Sequence, residues 1–190
     1  AEKELEGSMA RLREALGGTI EAIAKTMETR DPYTAGHEQR VAELAAAIGD
    51  EIGLSPDRMD GLKMAGMVHD LGKVSIPVAI LSKPGRINPI EFELIKMHPT
   101  TGYEILKEIK FPWPIALMVL QHHERIDGSG YPYGIKGDAL LLESRILGVA
   151  DVVEAMSSHR PYRPARGIEA ALAEVEGKKG VLYDKEIVDV

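Results

Sequence analysis

The chain has 190 residues, a net charge of −7, 44% hydrophobic and 28% charged residues, and no cysteine. Such a length and composition are typical of one soluble globular domain with a substantial core. The lack of cysteine excludes disulfides, thiolate zinc sites and cysteine nucleophiles, and the negative charge argues against a broad surface for DNA or RNA polymers.

The chain has no feature of a membrane or secreted protein. No apolar run reaches the ~20 residues needed to span a bilayer. The first residues, Ala1 to Gly7, are mostly charged, unlike the apolar core of a signal peptide. We expect a cytoplasmic location for this chain, and we expect it to be a fragment of a longer sensor protein, which can itself be attached to a membrane.

An apolar stripe with nearly heptad spacing predicts a long N-terminal helix. The stripe comprises Leu5, Met9, Leu12, Leu16, Ile20, Ile23 and Met27. Gly17-Gly18 weakens its middle. The helix can pack on the core, or it can be a signalling helix that dimerises and enters from an upstream sensor, and each interpretation can hold for one half. We place a homodimer contact at Leu5, Met9 and Leu12.

Caps and breakers divide the next part of the chain into helices. Thr34 can cap a second helix, which carries His37 and Val41. Ser55-Pro56 opens a third, which ends near His69 with Gly72 as its stop. Asn88 to Glu91 resembles a capping box and opens another helix.

The remaining segments also predict helices, separated by one loop. Glycine-rich residues 127–137 form the loop. Helices are expected from Pro99 to about Lys107, over Ile115–His123, over Ala139–Ser157 with Pro161 and Pro164 as terminators, over Ile168–Glu176, and from Asp184 onward. Strand-like alternation is absent, so we predict an all-α fold.

Five of the six histidines stand beside acids, other histidines or helix ends: His37, His69, His98, His122 and His123. With Asp70 and Asp151 they offer only nitrogen and oxygen ligands, a set typical of iron, manganese, zinc or nickel. The Asp70 carboxylate can bridge two metals. Asp151 lies among apolar residues 149–153, where a buried carboxylate needs a charged partner.

Taken singly, each of these residues also has a structural interpretation. A lone histidine such as His37 is more often part of the core, and a lone aspartate such as Asp151 is more often a cap or an ion-pair partner. His159 has no neighbouring acid, and we interpret it as a surface residue. The combination of motifs decides between the two interpretations.

Several stretches carry motifs in a specific order: Arg30 to His37, His69 to Lys73, Ile76-Pro77, Leu81 to Gly85, His122 to Pro132 with its Gly130-Tyr131-Pro132, Arg145-Ile146, Val149 to Asp151, and Arg160 to Arg163. Together they resemble the HD-GYP family over residues 20–190. The resemblance implies an HD-superfamily helical bundle with a metal centre. We assign residues 1–18 to the signalling or linker helix and residues 19–190 to the catalytic domain.

The resemblance also implies the ligands of two metal ions, iron or manganese. One ion would be held by His37, His69, Asp70 and Asp151. The other would be held by Asp70, His98, His122 and His123, with Asp70 bridging. Some relatives use a glutamate four residues before the first histidine for a third metal. That position is Tyr33 here, and Glu28 is too far along the chain, so we expect two metals.

The implied activity is hydrolysis of cyclic di-GMP to the linear dinucleotide pGpG, to GMP, or to both. Asp70 and Lys73 are the candidate catalytic residues, with Lys73 at the scissile phosphate, and Arg160 and Arg163 are candidate cationic contacts to the substrate. Alternatives are another cyclic dinucleotide, such as hybrid cyclic GMP-AMP, or a module that senses a ligand or partner without turnover.

The Gly130-Tyr131-Pro132 loop has three interpretations. It can shape the substrate entrance with Tyr131 stacked on a base, dock a partner such as a diguanylate cyclase domain, or serve as a rigid turn.

Overall fold

The computed structural model describes residues 2–30, 36–158 and 167–190, with the backbone alone at residues 2, 3, 5, 6 and 10. Within these ranges the regular structure is helical, and the only β pairing is an isolated bridge between Lys179 and Tyr183. The all-α prediction is therefore confirmed. None of the helices in these ranges combines the length and the apolar character that crossing a bilayer requires.

The described residues form a series of α-helices along the chain. They are α1 (Glu2–Glu28), α2 (His37–Glu51), α3 (Pro56–Val68), α4 (Val78–Leu81), α5 (Pro89–Ile95), α6 (His98–Leu106), α7 (Ile115–Gln121), α8 (Leu142–Ser157), α9 (Ile168–Gly177) and α10 (Lys185–Val188). Short 3₁₀ turns at Leu71–Ser75 and Gly137–Ala139 precede α4 and α8.

Two of the predicted helix starts are confirmed in atomic detail. The Ser55 hydroxyl accepts a hydrogen bond from the Arg58 amide at 3.4 Å, with Pro56 in the first turn. Asn88 and Glu91 form a reciprocal capping box at the start of α5. Thr34 lies outside the described residues, and α2 begins at His37 after Gly36, which has the left-handed φ of 71°.

The predicted role of Gly72 as a helix stop is wrong. Helix α3 ends at Val68, and Gly72 lies in the following 3₁₀ turn without a positive φ. A Cβ at Gly72 would lie 1.8 Å from the carbonyl oxygen of His98. Glycine is needed there because the start of α6 approaches the backbone of this turn.

Other predicted ends differ by a few residues. Helix α7 ends at Gln121 rather than His123, and α8 begins at Leu142 rather than Ala139 because a 3₁₀ turn comes first. Pro161 and Pro164, the expected terminators of α8, lie outside the described residues, as does His159.

The core lies between α2, α3, α7 and α8 and is made mainly of aliphatic side chains. Among its fully buried members are Leu62, Ile115, Met118, Ile146 and Leu147. Helices α2 and α3 pack backbone to backbone, since a Cβ at Gly66 would lie 2.8 Å from the Cα of Ala42. This packing brings the start of α2 next to the end of α3.

The two halves of α1 have different surroundings, although the helix is continuous through Gly17 and Gly18. Ile20 and Ala24 are buried against the core, whereas Met9 and Leu12 are 50% and 70% exposed. The Leu5 side chain is outside the described set. The second half therefore belongs to the core, and the first half extends from it.

Candidate metal centre

Seven predicted ligand residues from five parts of the fold meet at one place. His37 starts α2, His69 and Asp70 follow α3, His98 starts α6, His122 and His123 follow α7, and Asp151 lies in α8. Three overlapping groups have ligand atoms within 4.8 Å of one another: His37, His69 and Asp70; His69, His122 and Asp151; and His98, His122 and His123. All but His123 are buried.

Backbone carbonyls orient three of the histidine rings in the same way. The Nδ1 atoms of His69, His98 and His122 donate to the carbonyls of the residues three positions earlier, at 2.7, 2.7 and 2.6 Å. Each Nε2 atom is left with its lone pair for another partner. The helix ends thus set both the ring orientation and the tautomer that metal binding needs.

His37 is oriented by a carboxylate instead of a carbonyl. Its Nδ1 contacts Glu154, which lies one turn after Asp151 on α8. The same carboxylate accepts from Arg40 Nε at 2.7 Å and from the Ser158 hydroxyl at 2.6 Å. Sequence reasoning missed Glu154, for which the only local signal is its i+3 spacing from Asp151.

The two oxygens of Asp70 face different histidines. Oδ1 lies 3.3 Å from His98 Nε2. Oδ2 lies 3.7 Å from His69 Nε2 and 3.9 Å from His37 Nε2. A carboxylate placed in this way can serve two adjacent cations at once.

Asp151 completes the side of the cluster formed by His37 and His69. Its Oδ1 lies 3.3 Å from His37 Nε2 and 3.8 Å from His69 Nε2. Both of those Nε2 atoms are buried without a hydrogen-bond partner among the described residues. Buried nitrogen atoms of this kind normally have a partner, so the site fits a metal ion.

The electrostatics of the cluster favour ligand-ready protonation states. Burial opposes the charge of Asp70, but Lys73 and His69 nevertheless hold its pKa well below the usual range. Burial lowers the pKa of His98 to about 4 and that of His122 to about 3. At neutral pH the carboxylate is therefore ionised and these imidazoles are neutral, as metal ligation requires.

His37 behaves differently from the other histidines. Burial lowers its pKa, but the nearby carboxylates of Asp151 and Glu154 outweigh burial and raise it to about 9. A proton therefore stabilises the carboxylates around His37 when no metal is bound. A metal cation binding at His37 must displace that proton.

Two of the four candidate substrate-binding residues belong to the described part of the chain, and both lie at the cluster. The Lys73 ammonium contacts Asp70 Oδ2 and thus lies at the cluster. The Tyr131 ring is stacked on His123, with 4.7 Å between centroids. Arg160 and Arg163 lie outside the described residues.

Glu124 holds the Gly130-Tyr131-Pro132 loop in place, a role that was not predicted from the sequence. Its buried carboxylate accepts from the amides of Tyr133 at 2.7 Å and Ile135 at 3.1 Å. Gly130 packs against the backbone of residues 123–125, where a Cβ would approach within 2.4 Å. The loop is therefore fixed directly onto the segment that carries His122 and His123.

Comparison with known proteins agrees with this geometry. The HD domain family profile matches residues 21–187. The chain is 40% identical to the cyclic di-GMP phosphodiesterase response regulator RpfG of Xanthomonas campestris and 38% identical to a cyclic di-GMP phosphodiesterase of Thermotoga maritima. Both alignments cover 99% of this chain, which spans about half the length of each relative, 50% and 52%.

A third relative and one solved structure extend the comparison. The 3′3′-cGAMP-specific phosphodiesterase 3 of Vibrio cholerae is 36% identical over 88% of this chain and 36% of its own length. An HDG"Y"P protein from Bdellovibrio bacteriovorus has a TM-score of 0.71 at 18% identity, over 96% of this chain and 62% of its own, which supports the fold. The chain belongs to the HD domain family and is of the HD-GYP type.

Proposed function

We propose that this chain is a metal-dependent phosphodiesterase that hydrolyses a cyclic dinucleotide, with cyclic di-GMP as the preferred substrate. The cluster of five histidines and two aspartates, all buried except His123, carries the proposal. The names of the two relatives at 40% and 38% identity support the choice of substrate.

The proposed cofactor is a pair of iron or manganese ions. His37, His69, Asp70 and Asp151 would hold one ion, and Asp70, His98, His122 and His123 would hold the other. The orientation of the two Asp70 oxygens toward different histidines supports the bridging role. When bound, such ions activate water near neutral pH and neutralise charge on phosphoryl oxygens.

The protein's own groups would position the substrate phosphate. Lys73 is close enough to Asp70 to contact a phosphate placed at the cluster, where it would stabilise the phosphate or the leaving oxygen. Addition of one water to phosphorus breaks the bond to the ribose 3′ oxygen, which leaves with a proton. The first product is pGpG, and a second hydrolysis gives GMP. Arg160 and Arg163 would add positive charge at the substrate.

Hybrid cyclic GMP-AMP is the alternative substrate, favoured by the relative from Vibrio cholerae. A module that binds a ligand or partner without turnover is the alternative from another class. Product analysis distinguishes an enzyme from a binding module, because only an enzyme converts the cyclic dinucleotide to a linear product.

The decisive experiment combines anaerobic metal analysis with product analysis on cyclic di-GMP and 3′3′-cGAMP. We expect about two iron or manganese ions per chain and faster turnover of cyclic di-GMP. Asp70→Ala should lose both ions and the activity, because Asp70 contributes to both sites. Full metal occupancy in Asp70→Ala would contradict the ligand assignment, and no product from either dinucleotide would contradict the enzymatic function.

We further propose that this chain is cytoplasmic and that α1 carries a signal to it from an upstream sensor of a longer protein. The chain would form a homodimer through the first half of α1. Met9 and Leu12 are exposed there. At the other end, the Glu28 carboxylate accepts from the Gly36 amide at 2.6 Å, and the Arg30 guanidinium donates to the Val74 carbonyl at 2.5 Å. These contacts link α1 to the residues next to His37 and Lys73.

A diguanylate cyclase domain is a proposed partner of the Gly130-Tyr131-Pro132 loop.

A further inference from the structure

The metal cluster, by which we mean the seven candidate ligand residues, is most accessible on the side of His123 within the described part of the chain. The His123 side chain is 18% exposed. The side chains of His37, His69 and His98 are at most 2% exposed. Tyr131 lies on this open side, stacked on His123 with 28° between the ring planes. Tyr131 is therefore next to the most exposed histidine of the cluster.

Two side chains of the α5 segment lie next to Tyr131 and extend this rim. The Phe92 ring is 6.4 Å from the Tyr131 ring in an edge-to-face arrangement. The Lys96 ammonium lies 5.1 Å from the centroid of Phe92 and 5.9 Å from that of Tyr131. We call Phe92, Lys96 and Tyr131 the rim ledge.

Helix α5 holds Phe92 in place without burying it. The helix has no buried residue, and Phe92 is 44% exposed. Its start is fixed by the capping box of Asn88 and Glu91 and by a 2.7 Å ion pair between Glu91 and Lys83. The ring is thus presented to solvent by an anchored helix rather than withdrawn into the core.

We propose that the rim ledge binds a nucleobase of the cyclic dinucleotide while a phosphate of the same ring lies at the metal cluster. The inference rests on the proposed function and adds Phe92 and Lys96 to the substrate site. An exposed aromatic face stacks on any base, and a neighbouring ammonium attracts the anionic ring. Lys96 also pairs with Glu93 at 2.8 Å, but such an exposed pair is weak and can be exchanged for the substrate.

A cation over an aromatic ring can also result from helical spacing alone, because Phe92 and Lys96 are four residues apart. The chain contains a matched case. Lys107 lies 6.0 Å from the ring centroid of Tyr103, four residues earlier, and pairs with Glu104. Lys107 is nine residues beyond His98, about 13 Å along the helical axis. It therefore serves as a control with the same local contacts outside the rim ledge.

The test uses the metal-loaded 190-residue chain and the variants Phe92→Ala, Lys96→Ala, Lys107→Ala and Ile90→Ala. Ile90 is a second control because it lies on α5 and is 77% exposed. For each protein we would measure metal content, calorimetric binding of cyclic di-GMP and 3′3′-cGAMP, and kcat and KM on both. Hydrolysis of bis(p-nitrophenyl) phosphate, a diester without a nucleobase, reports on the cluster alone.

We expect Phe92→Ala to raise KM and Kd for the cyclic dinucleotides by about tenfold, with a smaller rise for Lys96→Ala. Metal content and the kinetics on bis(p-nitrophenyl) phosphate should stay unchanged, as should both control variants. Unchanged cyclic dinucleotide binding in Phe92→Ala, or an equal loss on the base-free diester, would overturn the proposal. Binding that Phe92→Ala weakens in a chain without turnover would support the rim ledge and contradict only the enzymatic function. No binding of either dinucleotide would overturn both.

Discussion

Glycines at the metal cluster and glycines in the first half of α1 have opposite surroundings. A Cβ at Gly72 would lie 1.8 Å from a backbone oxygen of His98, and one at Gly148 would lie 2.7 Å from the carbonyl of His122. A Cβ at Gly17 or Gly18 would meet nothing within 4 Å. At the cluster, glycine allows the ligand-bearing segments to touch, whereas in α1 it only weakens the helix.

Polarity is inverted between the same two regions. At the cluster, His69, Asp70 and His122 are buried although they are polar, while in α1 Met9 and Leu12 are exposed although they are apolar. The buried Nε2 atoms of His37 and His69 have no hydrogen-bond partner among the described residues, so the cluster fits a cation. Exposed apolar side chains gain from contact with a protein surface. We therefore expect metal binding in one region and association in the other.

Substitution of glycine by alanine should change the unfolding free energy in opposite directions in the two regions, and this is the largest difference that we expect. We expect Gly72→Ala to cost about 3 kcal/mol or more of unfolding free energy, because backbone rather than a flexible side chain blocks the new methyl group. Gly18→Ala should instead stabilise α1 by up to about 1 kcal/mol. Urea unfolding measures both, and similar values for the two variants would contradict the comparison.

Removal of the carboxylate that orients His37 should weaken one metal site and leave the other. In Glu154→Gln we expect affinity for the ion at His37 to fall by about 10- to 100-fold, while His98, His122 and His123 retain theirs. Metal titration with elemental analysis distinguishes one ion from two.

The control for this prediction is Glu143→Gln. Glu143 is also buried on α8, but it pairs with Arg58 at 2.7 Å and not with a histidine of the cluster. Its replacement should lower stability without changing metal stoichiometry. Equal metal loss in both variants would show that Glu154 acts only through the stability of α8.

The metal-free protein should be most stable near the ordinary histidine pKa of 6.5. His98 and His122 have a folded pKa of about 4 and about 3. The unfolded chain binds their protons first, so stability falls as pH drops below 6.5. The pKa of His37 is raised to about 9 when folded, so its contribution is lost as pH rises from 6.5 toward that value.

Urea unfolding of the metal-free chain at about pH 5, 6.5 and 9 checks this pH dependence. Metal should flatten the profile at neutral and alkaline pH, because the ion replaces the proton on His37. A metal-free stability that stays constant over this range would contradict the assigned protonation states.

The smallest expected effect concerns association through α1. Leu12→Lys should shift the chain from dimer to monomer in light scattering, because it places charge at the predicted contact while the fold is unaffected. Ile90→Lys, at a site that is also exposed, should leave the mass unchanged. A monomeric wild-type chain would remove the dimer interpretation and leave the first half of α1 without an assigned contact.

Local patterns in the sequence were sufficient for the helical class and for the caps at Ser55 and Asn88. Capping depends on residues three positions apart, so the sequence contains the whole interaction. The seven ligand candidates were also named from the sequence. His69-Asp70 and His122-His123 form short motifs, whereas the roles of His37, His98 and Asp151 were implied by the resemblance to the HD-GYP family. The metal assignment from these motifs remains a prediction that the proposed analysis tests.

Tertiary structure decided the features that join distant parts of the chain. His37 and Glu154 are 117 residues apart, so no local pattern links them. Gly72 was interpreted as a helix stop from its local sequence. Its role in the structure is to leave room for the backbone of His98. That role could not be predicted, because His98 belongs to another segment of the chain.

The two halves of α1 show the same division between sequence and structure. Sequence alone determined that α1 is an amphipathic helix, because its apolar side chains recur with helical spacing along one face. Only the tertiary structure decided that Ile20 is covered by the core and Leu12 is not. The physical reason is that burial depends on which other segment lies opposite a side chain, and a helical repeat carries no information about that partner.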